Sequence, residues 1–454
     1  MITKTEPTTA STTLAQDTRF RLLLCGILIA AYMLVYVDVP ATIDGKATLA
    51  VTSSLLKYGT PDINVIGSAE GLLPPMARMG SFGQDGLLYA KKGITPSLFL
   101  LPFVQLAHII PFLPVRATAM LLNPVVTTLT ALLLYTFARW IHYPPRTAFV
   151  TALTYGLGTF AVVYTLTLFG EPLAAFLLLS ALMAGYYYRQ SGDFRALMIA
   201  GAALGLAVGV NLSYGVMAPL IGVYAFGLDP RRWRLLQLTA MILPFSLLFV
   251  LLLAYNLARF GSLLQSGYHF AEGEGFTSPF WIGIIGLILS PYRGFFWYNP
   301  VMLLAVPGAL LFRRRNLPLL SIILALTAAQ IITYASWWSW HGGVVWGPRF
   351  LIPITPLLAL LLLPVIDRVP QQHLLAAIFI LLGGFSLLIQ AAASFFRVIP
   401  FVEFQLDTSP IIAQFQLALS GEALHPALFR NSDLIHAVLL LSALAAGILG
   451  FHYA

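Results

Sequence analysis

Apolar stretches of membrane-crossing length recur along almost the whole of this chain. Twelve can be marked, at roughly 20–37, 116–138, 147–168, 172–188, 196–212, 214–228, 235–256, 298–312, 317–335, 350–366, 373–394 and 434–452, the run 196–228 being divided by the polar break Asn211-Leu212-Ser213. A helix needs about 17–25 apolar residues to cross a bilayer. Only 9% of the residues are charged, whereas soluble domains carry about 25%. No soluble surface can be built from so few charges. The reading is therefore an all-α polytopic integral membrane protein, a single membrane domain over 1–454. The lone cysteine, Cys25, lies inside an apolar run and allows no intrachain disulfide. The net charge of +8 includes no Lys/Arg run longer than Arg313–Arg315. It marks loops beside a membrane and gives no groove for nucleic acid.

Charge also predicts the topology. Arg19 and Arg21 precede the first apolar run, and no Ala-x-Ala cleavage site follows it. It reads as a retained span entered from the cytoplasm. The stretch 94–112 is interrupted by Pro96, Pro102 and Pro111, and is expected to dip into one leaflet. With that dip, the inner segments hold 14 of the 25 basic residues and five of the 17 acidic ones. Full crossing would move Arg139, Arg146 and Arg231–Arg234 outside, against the positive-inside rule. The expectation is thus about twelve spans plus one dipping helix, with both termini cytoplasmic, in the cell (inner or plasma) membrane. Long or unusual outer loops fall at 38–93, 257–297, 336–349 and 395–433. The last of these precedes the final helix.

The first outer loop carries Asp38 and Asp44 just beyond a span. A carboxylate at that depth can be desolvated, which raises its pKa and suits a general base. Equally, Asp44 can cap a helix over Gly45–Tyr58. The loop closes on Asp85-Gly86, Tyr89 and Lys91-Lys92-Gly93. These lysines can pair with a lipid phosphate or simply snorkel to the interface. Glu171 stands before Pro172 between two spans, either as a partnered membrane-edge carboxylate or as a cap. Two further stretches join arginine to aromatics and glycines: Leu289–Pro300, with Tyr292-Arg293-Gly294, and Trp337–Phe350, with Trp340-His341 and Trp346-Gly347-Pro348-Arg349. Arginine offers phosphate a planar fork and tryptophan offers a sugar a stacking face. An interfacial aromatic belt accounts for the tryptophans but not for the Gly-Pro-Arg turn. There is no His-x-x-x-His, no nucleotide-type glycine loop and no Gly-x-Ser-x-Gly elbow.

This arrangement resembles the glycosyltransferase C superfamily, membrane enzymes that take a sugar from a polyprenyl-phosphate carrier. Protein O-mannosyltransferases and the aminoarabinose transferases of lipid A belong to it. The likeness rests on Asp44 after the first span, Lys57-Tyr58-Gly59, Asp85-Gly86 with Tyr89 and Lys92-Gly93, Glu171 in the second outer loop, and the Ser-Pro-x-Arg-Gly and Gly-Pro-Arg stretches. The paired Asp-Glu of the mannosyltransferases is Asp44-Gly45 here.

The resemblance implies transfer of a sugar at the outer face to a glycan, lipid or protein acceptor. Asp44, with Asp38 as the other candidate, would deprotonate the acceptor, and Glu171 would orient it or hold a divalent cation. Lys92, Lys91, Arg349 and Arg293 would hold the carrier phosphate. Trp340, His341, Trp346 and Tyr292 would contact sugar or acceptor. No cofactor beyond the optional cation is implied. The rival readings are a flippase of lipid-linked glycans and a non-catalytic scaffold subunit. The outer-surface placement of the charges argues against a midplane transport site.

Overall fold

The computed structural model describes residues 8–64, 80–227, 233–396 and 409–420. Helix α1 covers Thr8–Leu34 and α2 covers Ile43–Tyr58. A two-stranded antiparallel hairpin follows, β1 Gly80–Phe82 with β2 Leu88–Ala90, paired Ser81 to Tyr89. Then come α3 Thr95–Ile109, α4 Val115–Trp140, α5 Pro145–Gly158, α6 Glu171–Ser191, α7 Phe194–Val210, α8 Leu212–Phe226 and α9 Leu235–Phe260. The remainder is α10 Phe280–Ile288, α11 Pro300–Arg313, α12 Leu317–Ala335, α13 Arg349–Gln371, α14 His373–Phe395 and α15 Pro410–Ser420.

Among the described residues five helices are long and apolar enough to cross a membrane: α4, α9, α12, α13 and α14. Two further expected spans, 20–37 and 172–188, fall largely within the continuous helices α1 and α6, and several of the others differ from expectation for local reasons. The expected span 147–168 breaks at Thr159, which is extended at φ −123°. The expected span 298–312 breaks at Asn299, held out of the helical region by the following Pro300. The two breaks satisfy one another, because Phe160 N–H donates to Asn299 Oδ1 at 2.9 Å. Val301 N–H finds Ser386 Oγ at 2.8 Å. A broken helix in an apolar interior needs such partners for its freed backbone groups. The run 196–228 splits at Asn211, as its polar break predicts, with Asn211 Oδ1 capping Ser213 N–H. The expected last span 434–452 lies outside the described residues, and so do 397–408 and 421–433 of the loop 395–433, whose described part contains α15.

The helix α3 has 15 residues, about 22 Å at 1.5 Å per residue, against a hydrocarbon core of about 30 Å. It lies on α2: Thr52 Oγ1 donates to Ser97 O and Ser97 Oγ donates to Thr48 O, both at 3.2 Å. Residues Thr48 to Ser54 of α2 are all buried. Helix α7 packs on α9 through Gly201, where a Cβ would meet Met241 O at 2.0 Å. Such close approach is how helices associate without a hydrophobic driving force. Helix α13 is the most enclosed of the five long helices, whereas α9 and α14 present most of their surface outward.

Charges collect at the two ends of the helices. At one end Asp17 accepts from Arg139 Nε at 2.8 Å, Arg315 donates to His142 O at 2.9 Å, and Thr147 donates to Asp367 at 3.0 Å. At the other end α1 runs into α2, α6 begins at Glu171 and α13 begins at Arg349.

Candidate active site

Asp44 occupies the first turn of α2 but does not cap it. Thr42 is the N-cap, its Oγ1 accepting from Gly45 N–H at 3.1 Å. The capping role weighed for Asp44 is thereby corrected, and its carboxylate is left to side-chain partners. Lys92 Nζ lies 3.3 Å from Asp44 Oδ2, and Arg349 Nη1 lies 3.2 Å from the same oxygen. Arg349 Nε lies 3.5 Å from Glu171 Oε1. The guanidinium also sits 4.7 Å from the Phe169 ring centre and 4.9 Å from that of Phe350. Four charges from four distant stretches thus share one place, with net charge zero.

Local chemistry delivers each of them. Lys92 is presented at the end of the hairpin, whose turn is closed by Asp85: its Oδ1 accepts from Leu87 N–H and its Oδ2 from Tyr89 O–H. Gly93 then presses against α7, where a Cβ would meet Gly209 O at 2.0 Å. The buried Arg259 at the end of α9 holds the strand by donating to Ala90 O at 2.6 Å and to Asn256 Oδ1 at 2.8 Å. Glu171 is buried at the start of α6, where the helix N-terminus favours negative charge.

Burial alone would raise the pKa of Asp44, but the charges of Lys92 and Arg349 outweigh it and hold the carboxyl below its usual range. The expected upward shift is corrected on this point. Burial likewise opposes the charge on Lys92, and Asp44 reverses this, so the ammonium is held above its usual pKa.

Of the four charges, all but Glu171 lie on one wall of a cavity of about 460 Å³, a volume typical of small-molecule sites. Asp44, Lys92 and Arg349 line one part. Tyr268, Phe270, Phe276, Trp337 and Trp338 line another, with Lys91 and Glu274. Lys91 is drawn away from Asp44 by Glu274, at 2.7 Å.

Several expected contacts fall elsewhere. Arg293 is buried and donates to the carbonyls of Val345 and Gly343, so it braces that loop without lining the cavity. Trp346 is buried, its indole N–H directed to Gln390 at 3.3 Å and its ring 4.9 Å from that of Tyr298. Trp340 packs over Gly286, and His341 Nδ1 accepts from Gly343 N–H at 3.0 Å. Tyr292 is exposed, and its carbonyl accepts from Tyr298 O–H at 2.8 Å. Asp38 is half-buried and does not line the cavity. Among the described residues no group of three or more His, Cys, Asp or Glu could hold a metal ion. Asp44 and Glu171 are bridged by Arg349.

Sequence reasoning missed Tyr268 and Glu274, and within the Trp337–Phe350 stretch it favoured Trp340 and Trp346 over Trp337, the one that lines the cavity. The signal for Glu274 was available: the outer loop 257–297 contains two acids, Glu272 and Glu274. Ser213 was read as a mere span break, yet it lines the cavity and shares a 2.8 Å hydrogen bond with Tyr334.

Comparison with solved structures shows a likeness of fold to membrane glycosyltransferases. In particular, the chain is similar to ArnT from Cupriavidus metallidurans, solved bound to undecaprenyl phosphate. The match has a TM-score of 0.53 and 14% identity, over 99% of this chain and 77% of that one. Lower scores link it to the arabinosyltransferase EmbB from Mycobacterium smegmatis, with TM-score 0.48, 13% identity and coverage of 99% and 42%. The oligosaccharyltransferase AglB from Archaeoglobus fulgidus, in complex with an inhibitory peptide and a dolichol-phosphate, matches with TM-score 0.48, 14% identity and coverage of 91% and 56%. This chain therefore spans less than two thirds of the length of EmbB and of AglB. No family model and no curated protein sequence matches. At such identities the likeness concerns the fold.

Proposed function

We propose that this protein is a membrane glycosyltransferase that moves a hexosyl or pentosyl unit from a polyprenyl-phosphate carrier to an acceptor hydroxyl. The acceptor is a glycan, lipid or protein at the outer face of the cell membrane. The observation that carries this is the single carboxylate, Asp44, held between Lys92 and Arg349 on the wall of the cavity. The ArnT-like fold supports the choice of carrier.

In the reaction the acceptor oxygen attacks the anomeric carbon and the bond from that carbon to the phosphate oxygen breaks. The electron pair leaves with the polyprenyl phosphate, and Asp44 takes the acceptor proton. Lys92 and Arg349 bear the charge that develops on the leaving phosphate, and such preorganised charge is effective away from bulk water. A phosphate seated on these two cations also draws them from Asp44. The influence that lowers the Asp44 pKa then weakens, and its proton affinity rises when a base is needed. Glu171 keeps Arg349 oriented through the 3.5 Å contact with Nε.

The test is turnover of polyprenyl-phosphate-linked sugars by the purified protein in nanodiscs. Release of the bare carrier by wild type but not by Asp44→Asn is expected. A wild-type protein that neither binds polyprenyl phosphate nor releases it from any glycosylated carrier overturns the reading.

A further inference from the structure

The part of the cavity beyond Lys92 has its own construction. Lys91 Nζ contacts both Glu274 oxygens, at 2.7 and 2.8 Å. Glu274 Oε2 also accepts from His269 N–H at 2.8 Å. Both side chains are 23% exposed, so the pair faces the cavity and is not solvated on all sides. Opposite in character is Trp337, packed edge-on with Tyr268 at 5.2 Å and with Phe276 at 5.4 Å between ring centres. Adjacent lysines are thus divided, Lys92 toward Asp44 and Lys91 toward Glu274.

Building on the transferase reading above, we propose that Lys91, Glu274 and Trp337 form the subsite for the sugar ring of the donor, and that it selects an uncharged ring. Neighbouring hydroxyls suit an ion pair, since one can donate to Glu274 while the other accepts from Lys91. The aromatic wall offers a flat apolar surface to the C–H face of the ring. The pair is already neutral. An amino sugar would add a cation beside Lys91, and a uronate would add an anion beside Glu274. Either leaves one charge uncompensated in a partly desolvated site, the kind of repulsion by which a pocket rejects a near-match.

The experiment uses the full chain in nanodiscs and three probes: polyprenyl phosphate, the same carrier bearing a neutral hexose, and the same carrier bearing an amino hexose. Two good hydroxyl contacts give wild type about a tenfold preference for the neutral-sugar carrier over the bare one. The amino-sugar carrier should bind no tighter than the bare one. Glu274→Gln and Trp337→Leu should each bring the preference, read as the ratio of neutral-sugar-carrier to bare-carrier affinity within the same variant, toward one. A preference that survives both substitutions overturns the subsite, and a wild type that favours the amino sugar overturns the selection. If the bare carrier fails to bind wild type, the carrier reading falls instead. A neutral alkyl glycoside titrated alone then decides the subsite. Tryptophan quenching that disappears in Trp337→Leu supports it, and quenching that persists overturns it.

Discussion

Arg349 Nη1 lies 3.2 Å from Asp44 Oδ2 across 305 positions of sequence, and Nε of the same guanidinium faces Glu171 at 3.5 Å. A planar fork between two aromatic rings can face both acids, whereas an ammonium is a single point charge. Arg349→Lys therefore keeps the charge but loses one carboxylate contact and the stacking on Phe169 and Phe350. Leaving a buried charge without its partner costs about 3–5 kcal/mol. Carrier binding is expected to fall at least tenfold, with a lowered melting temperature in detergent. Lys92→Arg should be milder than Lys92→Ala. An interface-anchor role predicts equal affinity for wild type, Arg349→Lys and Lys92→Ala, and that result would remove the phosphate site.

Asp44→Asn should abolish transfer in a protein that still folds, at a lowered melting temperature because Lys92 and Arg349 lose their shared carboxylate. Thr42, not Asp44, caps α2, so the helix keeps its N-terminal hydrogen bond. Loss of a general base costs ~100- to 10,000-fold in rate. Asp38→Asn, away from the cavity, should leave the rate unchanged. Turnover lost in Asp38→Asn and kept in Asp44→Asn would transfer the base role to Asp38.

The pH profile follows from the direction of the Asp44 shift. Its folded pKa lies below the usual value, which is about 3.9. The stability gained from its ion pairs is present above the unfolded pKa and is lost as pH falls through the lower folded one. The acid limb of kcat/KM, which reports the free enzyme, is therefore expected below about pH 4. The acid limb of kcat reports the carrier complex, in which Lys92 and Arg349 are shared with phosphate, and should lie higher. Coincident limbs would mean that the carrier does not engage these cations.

Legibility in the sequence followed the cost of isolated charge. Asp44, Lys92, Glu171 and Arg349 each stand at the edge of an apolar run, where a charge is expensive without a partner, and the structure brings all four together. Side-chain direction was not legible. Within the 337–350 stretch, Trp337 faces the cavity while Trp346 turns inward to Gln390. Nothing in the order of residues distinguishes them, because the stretch lies in irregular turns without helical or strand periodicity. Arg293 looked like Arg349 in its glycine-rich setting, but the nearest unsatisfied groups to it were carbonyls, not carboxylates. The hairpin was missed because three-residue strands carry too little alternation to read. The two broken spans depended on Asn299 meeting Phe160, a pairing across 139 positions.

Gly347 sits two residues before Arg349 with φ +65°, and a Cβ there would lie 2.9 Å from Tyr298 Cγ. Both the left-handed backbone and the aromatic ring exclude a branched side chain. Gly347→Val should shift the start of α13 and mimic the Arg349 substitution in carrier binding. Gly192→Ala is the control: its φ is +73° but no atom lies within 4 Å of a Cβ, so it carries backbone strain alone. If Gly347→Val binds carrier as well as Gly192→Ala does, the turn does not position Arg349.

The final prediction concerns the membrane. Charge counting places 94–112 as a dip, and α3 is 15 residues long, too short to cross without thinning the bilayer. Asp17, Arg139 and Arg315, all assigned to the inner side by charge, meet at one end of the helices, joined through Arg139 to Asp17 and through Arg315 to His142. Asp44, Glu171 and Arg349 meet at the end where α2, α6 and α13 begin. The opposed clusters require Val115 and His142, near the two ends of α4, to face opposite compartments. In a Cys25→Ala background, single cysteines at positions 115 and 142 are exposed to a membrane-impermeant maleimide in intact cells. Labelling at 115 from outside, and at 142 only after the membrane is opened, is expected. The reverse pattern would place Asp44 and Glu171 on the cytoplasmic side. The cavity would then face a compartment other than the one in which the proposed acceptor stands, and the outer-face reaction would have to be abandoned even if the carrier binds.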